Sequence, residues 1–266
     1  MIKIAVNGAL GRMGSRILTL ALQSKDIRVS AAFDRRECGG FGKDIGPLLG
    51  LEQTTGVKLT EPSAKSLAAS DVLIDFSSPE GTEKSLAASV AAKKAIVIGT
   101  TGHSPAVQAK IREAAKTIPV LLSPNMSIGA NFLFEIARLA AARLEQGYDI
   151  EIIEAHHRSK KDAPSGTAKK IAEVIADEKG WDLDKASRYG RKGMTGERTR
   201  EEIGIHVVRA GDIVGEHTVL FSGPGETIEL THRAQSRDAF ARGALVAALF
   251  LAKKSKGLYQ MSDVLK

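Results

Sequence analysis

The first thirty-odd residues narrow the choice of fold sharply. Ile2 to Val6 is a short apolar run of buried-strand length, and Gly8-Ala9-Leu10-Gly11-Arg12-Met13-Gly14 follows at once. Glycine has no Cβ, so the chain can turn tightly here and bring its backbone close to a ligand. An amphipathic helix to about Gln23 comes next, then a second strand-like run, Ile27 to Phe33, ending at Asp34. Strand, glycine turn at a helix start, and an acidic residue at the end of the next strand outline a dinucleotide-binding βαβ unit. The spacing Gly8-x-x-Gly11-x-x-Gly14 is one residue looser at its start than the standard fingerprint, so on the glycines alone a ligand-free tight turn stays open. Asp34 is placed to accept hydrogen bonds from ribose hydroxyls, which favours NAD. Arg35 and Arg36 can pair with the 2′-phosphate of NADP, which leaves the preference open.

The same alternation continues. Val72 to Phe76, Ala95 to Ile98 and Val120 to Leu122 read as strands, with helices at about Gly81 to Lys93 and Pro105 to Lys116 between them. The expected fold class is α/β: a Rossmann-like nucleotide-binding domain with a parallel sheet. Ligands of such sheets bind beyond the carboxyl ends of the strands. Gly99-Thr100-Thr101-Gly102 and Ser123-Pro124-Asn125-Met126 leave two of those ends, although turn chemistry alone accounts for their composition equally well.

Past Met126 the pattern changes to a smaller α+β unit. A long amphipathic helix, about Ile128 to Gln146, leads to a strand from Tyr148 to Ala155 and a helix from Ser165 to about Lys179. Gly180 to Arg200 is rich in glycine and charge and is expected to be an ordered but mobile loop. Ile203 to Arg209, Gly215 to Ser222 and Glu226 to Arg233 alternate as strands, the last two joined at Gly223-Pro224-Gly225. The expected assembly is a mixed four-stranded sheet covered by helices on one face. Val219, Phe221, Ile228 and Leu230 are too apolar for both faces to meet water, so self-association is expected to cover the open one. A last helix, about Asp238 to Lys253, is expected to return to the nucleotide domain. The predicted domains are therefore 1–126 completed by 236–266, for dinucleotide binding, and 127–235, for substrate binding and oligomerisation.

Composition excludes several classes of function. The net charge of +7 raises nucleic-acid binding, but the basic residues are spread along the chain, aromatics are only 5%, and no recognition motif accompanies them. The excess charge suits solubility and anionic ligands. The longest apolar run, Ala244 to Ala252, falls well short of the roughly 20 residues that span a bilayer. Met1-Ile2-Lys3 runs straight into a strand with no room for a signal peptide, and a cytoplasmic location is expected. Cys38 is the single cysteine, so no intrachain disulfide forms.

The chemistry concentrates in Glu154-Ala155-His156-His157-Arg158-Ser159-Lys160-Lys161-Asp162-Ala163-Pro164-Ser165-Gly166-Thr167. Histidines titrate near neutral pH, Lys160 adds a fixed positive charge, and the amides opening the helix at Ser165, Gly166 and Thr167 lack intrahelical partners. A carboxylated small molecule suits all three. The side chains of His156 and His157 diverge and no third ligand is spaced for zinc, so no metal is expected. Ser165 lacks a nucleophile elbow. His206, His217 and His232 fall within predicted strands and read as structural.

This segment resembles the signature Glu-x-His-His-x-x-Lys-x-Asp-x-Pro-Ser-Gly-Thr-Ala of the 4-hydroxy-tetrahydrodipicolinate reductase (dihydrodipicolinate reductase) family, matched at every fixed position through Ala168. That family also uses Gly-x-x-Gly-Arg-Met-Gly, and the resemblance spans essentially the whole chain. It implies NAD(P)H-dependent reduction of a cyclic imine dicarboxylate, with loss of its 4-hydroxyl as water, in the diaminopimelate route to lysine. It further implies His156 as general acid, Lys160 as its cationic partner, and His157, Gly166 and Thr167 as carboxylate ligands. Gly8, Ala9, Leu10, Gly11, Arg12, Met13, Asp34 and Arg35 would hold the adenosine and diphosphate half of the cofactor. Gly99, Thr100, Thr101, Ser123, Pro124, Asn125 and Met126 would hold the nicotinamide half. The family often has Glu-Arg where this chain has Asp34-Arg35-Arg36, uses either cofactor, and is homotetrameric through the second sheet. Two alternatives carry less of the sequence. Another Rossmann-type amino-acid dehydrogenase would not need the signature from Glu154 to Ala168. A non-catalytic nucleotide sensor would not need both His156 and Lys160.

Overall fold

The opening apolar run becomes β1 (Ile2–Asn7), where Ile4, Ala5 and Val6 are completely buried because strands flank both edges and apolar clusters cover both faces. The structure, a computed structural model, describes residues 1–144 and 147–266. The chain divides into two compact units, Met1–Ile128 with Arg237–Lys266, and Gly129–Ser236.

In the first unit β1 is followed by α1 (Arg12–Leu22), β2 (Ile27–Phe33), α2 (Ile45–Leu48), β3 (Leu59–Thr60), α3 (Ala64–Leu67), β4 (Val72–Asp75), α4 (Pro79–Ala92), β5 (Ala95–Ile98), α5 (Pro105–Ala114) and β6 (Pro119–Leu122). Val72, Leu73 and Ile74 of β4 and all of β5 are buried, as expected of parallel strands covered on both faces. Phe76, expected to end the strand that starts at Val72, lies just beyond β4. Helix ends follow local chemistry: Ser78 and Ser104 cap α4 and α5 through their hydroxyls, each with proline at the first helical position.

The second unit begins within α6 (Ile128–Arg143), then runs β7 (Asp149–His156), α7 (Gly166–Lys179), α8 (Leu183–Ala186), β8 (Ser187–Tyr189), β9 (Ile203–Arg209), β10 (Gly215–Gly223) and β11 (Glu226–Ala234). The expected end of the long helix at Gln146 lies outside the described residues. The sheet has five strands, ordered β11-β10-β7-β9-β8, not four. The additional strand comes from the stretch expected as a loop, where Asp182 caps α8 and Ser187 to Tyr189 then pair in parallel with Ile203 to Ile205. Three residues are too few for a period-two pattern to declare itself.

The expectation that Val219, Phe221, Ile228 and Leu230 burden the open face of this sheet is also corrected. Val219 lies opposite Leu230 and Phe221 opposite Ile228, so all four point to one face. On that face Val219 and Phe221 pack in a core with Leu133 and Ala137 of α6 and Ile171 and Ile175 of α7. The opposite face carries Ile153, Thr218, Leu220 and Thr231 among charged groups.

The chain returns to the first unit as α9 (Asp238–Leu251), β12 (Gly257–Tyr259) and α10 (Met261–Val264). Ala241, Ala244 and Ala248 of α9 share the core with Ile17 and Ala21 of α1, the small side chains permitting close approach. β12 adds an edge strand, completing a seven-stranded parallel sheet ordered β12-β6-β5-β4-β1-β2-β3.

Candidate active site

In the first unit, the carboxyl ends of β1, β2 and β4 border a crevice of about 510 Å³, floored by Asn7, Gly8 and Gly11. Two glycines shape it. Gly8 has φ +76°, and a Cβ there would lie 2.2 Å from the Phe76 carbonyl oxygen. A Cβ on Gly14 would lie 2.0 Å from the Gly8 carbonyl oxygen, so helix and turn meet backbone to backbone. Gly11, the N-cap of α1, offers no side-chain acceptor to the first helical amides. A diphosphate fits such an end, where N–H groups and the helix dipole both favour negative charge.

Asp34 closes one side of the crevice. Its Oδ2 accepts from the Leu10 amide at 2.9 Å and its Oδ1 from the Arg35 amide at 2.9 Å, which ties the end of β2 to the glycine turn. Arg35 lines the crevice. Arg36 is engaged elsewhere, its Nε donating to Glu61 Oε2 at 2.7 Å and its guanidinium lying 5.5 Å from the Phe41 ring centroid.

The two loops expected to hold the nicotinamide half have firm internal structure. The Phe76 ring fills the space where Gly99 would carry a Cβ. Thr100 Oγ1 accepts from the Ser77 amide at 2.9 Å and donates to Asp75 Oδ2 at 2.9 Å. Asp75 is fully buried and also accepts from Asn7 Nδ2 at 2.7 Å, Ser77 Oγ at 2.7 Å and Thr82 Oγ1. One carboxylate thus ties the ends of β1, β4 and β5. Ser123 Oγ donates to the Asn125 carbonyl at 2.7 Å, while Thr101 and Pro124 are exposed. Arg12 is exposed and Met13 half-buried. The side chains of Ala9 and Met126 belong to the core, leaving their main chain to face a ligand. Asn7, Asp75 and Ser77 carry no expectation from sequence, although Asn7 and Asp75, polar residues closing otherwise apolar buried strands, are a readable signal.

In the second unit the signature residues assemble around Glu154. Glu154 and His156 are two apart on β7 and face the same side. His156 Nδ1 is 2.6 Å from Glu154 Oε2. Arg209, opposite His156 in the β7–β9 register, donates to the same carboxylate from Nη1 at 2.8 Å and Nη2 at 2.9 Å. The Ser165 amide donates to Glu154 Oε1 at 2.9 Å. Burial raises the carboxyl pKa, but the bonds from Arg209, His156 and Ser165 outweigh it and hold Glu154 ionised, below its ordinary range. An anionic acceptor facing Nδ1 keeps the His156 proton there when the ring is neutral, leaving Nε2 as the atom that exchanges protons. The His156 pKa is lowered: burial is the largest influence, Glu154 opposes it by hydrogen bond and charge, and Lys160 and Arg209 add to the lowering.

His217 sits beside this pair, its ring 5.2 Å from that of His156 at 73° and its Nε2 3.0 Å from Ser165 Oγ. Burial, and then the neighbouring His156, push its pKa down to about 3, so it is neutral at working pH. The sequence reading made it structural, but it pairs across the sheet with Glu154 and packs on the candidate acid. His206 binds Glu151 on the opposite face, at 2.6 Å.

Lys160 Nζ is 2.8 Å from both Asp162 oxygens and His157 is half-buried. Gly166 and Thr167 are the first two residues of α7, which Ser165 caps through its hydroxyl. The expectation that the Ser165 amide also serves an anionic ligand is corrected, because that amide is spent on Glu154. Glu154 and Arg209 were given no role from sequence, since the β7–β9 pairing that joins them spans more than fifty residues of chain. Among the described residues no group of three His, Cys, Asp or Glu side chains is placed to hold a metal ion, and no helix is long and apolar enough to cross a membrane.

A parallel sheet with an uncapped glycine turn and an acidic strand end, together with a second unit that carries a histidine–carboxylate pair, defines a Rossmann-type, pyridine-nucleotide-dependent oxidoreductase. The family models for the N-terminus and C-terminus of dihydrodipicolinate reductase match residues 2–126 and 129–265. The chain belongs to the dihydrodipicolinate reductase family, oxidoreductases of lysine and diaminopimelate biosynthesis. It is 49% identical to the 4-hydroxy-tetrahydrodipicolinate reductase of Syntrophotalea carbinolica over 265 residues, covering 100% of this chain and 99% of that one. It is 48% identical to the enzyme of that name from Aromatoleum aromaticum, covering 99% and 95%. The dipicolinate-bound dihydrodipicolinate reductase of Paenisporosarcina sp. TG-14 superposes with a TM-score of 0.77 at 26% identity, over 98% of this chain and 97% of that one. An amine dehydrogenase from Mycobacterium smegmatis shares the fold alone, with a TM-score of 0.63 at 14% identity over 98% and 95%.

Proposed function

We propose that the protein reduces 4-hydroxy-tetrahydrodipicolinate, the compound in its relatives' name, to tetrahydrodipicolinate with loss of water. The observation that carries this reading is the ionised, fully bonded Glu154 carboxylate. It holds His156 in one tautomer at the root of a loop that also presents His157, Lys160 and the first amides of α7. Those groups suit a small molecule with two carboxylates.

In this reading Gly8 to Met13 receive the cofactor diphosphate, Asp34 and Arg35 the adenosine ribose, and Gly99 to Thr101 with Ser123 to Met126 the other end. The reduced nicotinamide, of NAD or NADP, supplies a hydride when bound. His157, Gly166 and Thr167 bind and orient the substrate carboxylates. Departure of the 4-hydroxyl as water leaves a conjugated ring, hydride addition at C4 leaves an enamine, and C3 then needs a proton. His156, protonated at Nε2 and steadied by Glu154, gives that proton, while Lys160 offsets negative charge on the ring carboxylate. The reading also makes the protein a homotetramer joined through the exposed face of the second sheet, where Ile153, Val208 and Leu220 meet solvent.

The test is to generate the substrate in situ from pyruvate and aspartate semialdehyde with the preceding synthase and follow NADH and NADPH oxidation in parallel. Substrate-dependent oxidation is expected, and His156→Gln should lower turnover about 10²-fold or more, the scale of a lost general acid. Folded protein that oxidises neither nucleotide would sink the proposal.

A further inference from the structure

Asp34 is not the only carboxylate at the adenosine end of the crevice. β2 and β3 run in parallel with Phe33 beside Thr60, and the Asp34 amide donates to the Thr60 carbonyl at 3.0 Å. The register therefore brings Glu61, the next residue, level with Asp34 at the carboxyl ends of adjacent strands. Glu61 lines the crevice along with Asp34 and Arg35. Arg36 does not line it: its Nε is held by Glu61 Oε2 at 2.7 Å and its guanidinium lies against Phe41.

We propose that Glu61 sets the nucleotide preference of this site, disfavouring a 2′-phosphate and so selecting NADH over NADPH. The inference rests on reading the crevice as the dinucleotide site. Glu61 acts twice. It occupies Arg36, the second of two cations that a 2′-phosphate would recruit, and it puts a second negative charge beside Asp34, where that phosphate would lie. The ribose hydroxyls of NADH carry no charge and incur neither penalty. The Arg36–Glu61 pair is exposed, with 69% and 39% of the two side chains accessible, so it is weak and reversible. Removing the carboxylate therefore releases Arg36 without disturbing the core.

Full-length wild-type protein, Glu61→Gln and the double variant Glu61→Gln/Arg36→Met would be titrated with NADH and with NADPH by calorimetry at low salt. Glu61→Gln should lower the ratio of Kd for NADPH to Kd for NADH about tenfold, the order expected when one like charge within a Debye length is lost and one charge-assisted bond is gained. The double variant should return most of that ratio. A ratio within about twofold of wild type in Glu61→Gln overturns the inference while leaving the dinucleotide site intact. A gain that survives Arg36→Met overturns the Arg36 route. Failure of folded wild-type protein to bind either nucleotide overturns the reading of the crevice and the inference with it.

Discussion

His156 Nδ1 and Glu154 Oε2 lie 2.6 Å apart inside the second unit, and in the proposed mechanism this pair sets the pH at which a proton can be given. Burial first, with help from Lys160 and Arg209, lowers the His156 pKa from 6.5 against the opposing pull of Glu154. An acid must hold its proton before the step, so its active fraction is full below that pKa and falls above it. The expected kcat/KM profile descends with rising pH across a midpoint below 6.5. A bound dicarboxylate raises the pKa, so the descending limb of kcat should lie at higher pH than that of kcat/KM. Profiles taken from about pH 5 to 9 check this. A flat kcat/KM over that range would remove His156 as the proton donor.

Glu154→Gln should move that limb further toward acid, because the group that raises the His156 pKa loses its charge. It also leaves the Arg209 guanidinium, only 20% exposed, without its counter-charge. Breaking a buried pair from one side costs about 3 kcal/mol or more, and partial exposure places this one at the lower end. Denaturant unfolding and pH-rate profiles of the one variant read both effects. Unchanged stability would show that Arg209 finds another partner.

What the sequence revealed, and what it hid, follows from interaction range. β1, β4 and β5 are buried on both faces, so each reads as an uninterrupted apolar run with a local signal. β8 has three residues and β3 two, and only their neighbours make them strands. The loop from His156 to Thr167 was legible because its functional residues are consecutive. The partners that set its chemistry were not: Arg209 and His217 reach Glu154 through strand registers fixed by the whole sheet. Arg36 was visible as a charge, but Glu61, which holds it, becomes its neighbour only through the pairing of β2 with β3.

His217 makes the fold sensitive to acid. Its pKa is about 3 in the folded chain, through burial first and then the nearby His156, and about 6.5 unfolded. Between those values the unfolded chain binds the extra proton, so the His217 contribution to stability is complete above pH 6.5 and declines as pH falls toward 3. The slope approaches ~1.4 kcal/mol per pH unit, or about 2 kcal/mol by pH 5. Glutamine cannot take up that proton and can still reach the Ser165 hydroxyl. His217→Gln should therefore lose about 2 kcal/mol less than wild type between pH 7 and 5, as measured by urea unfolding. Equal losses would place the acid sensitivity elsewhere.

Gly14 and Gly11 separate folding from binding in the first unit. A Cβ on Gly14 would sit 2.0 Å from the Gly8 carbonyl oxygen and 2.7 Å from its carbon, both backbone atoms that cannot step aside. Gly14→Ala must push α1 away from the turn, at a cost of about 3 kcal/mol by analogy with overpacked cores. Gly11 is exposed and has an ordinary extended conformation at φ −69°, and its Cβ would lie 3.1 Å from the same Gly8 oxygen, a tight contact that needs a shift of only a few tenths of an ångström. Gly11→Ala should fold with a smaller loss than Gly14→Ala, on the order of 1 kcal/mol, because the backbone has far less to give. Its methyl group, however, stands at the uncapped end of α1, where the proposed reading brings a diphosphate against the helix amides. NADH affinity in Gly11→Ala should fall at least about tenfold, the loss of a single charge-assisted bond. Retained affinity in a normally folded Gly11→Ala protein would move the diphosphate away from this turn.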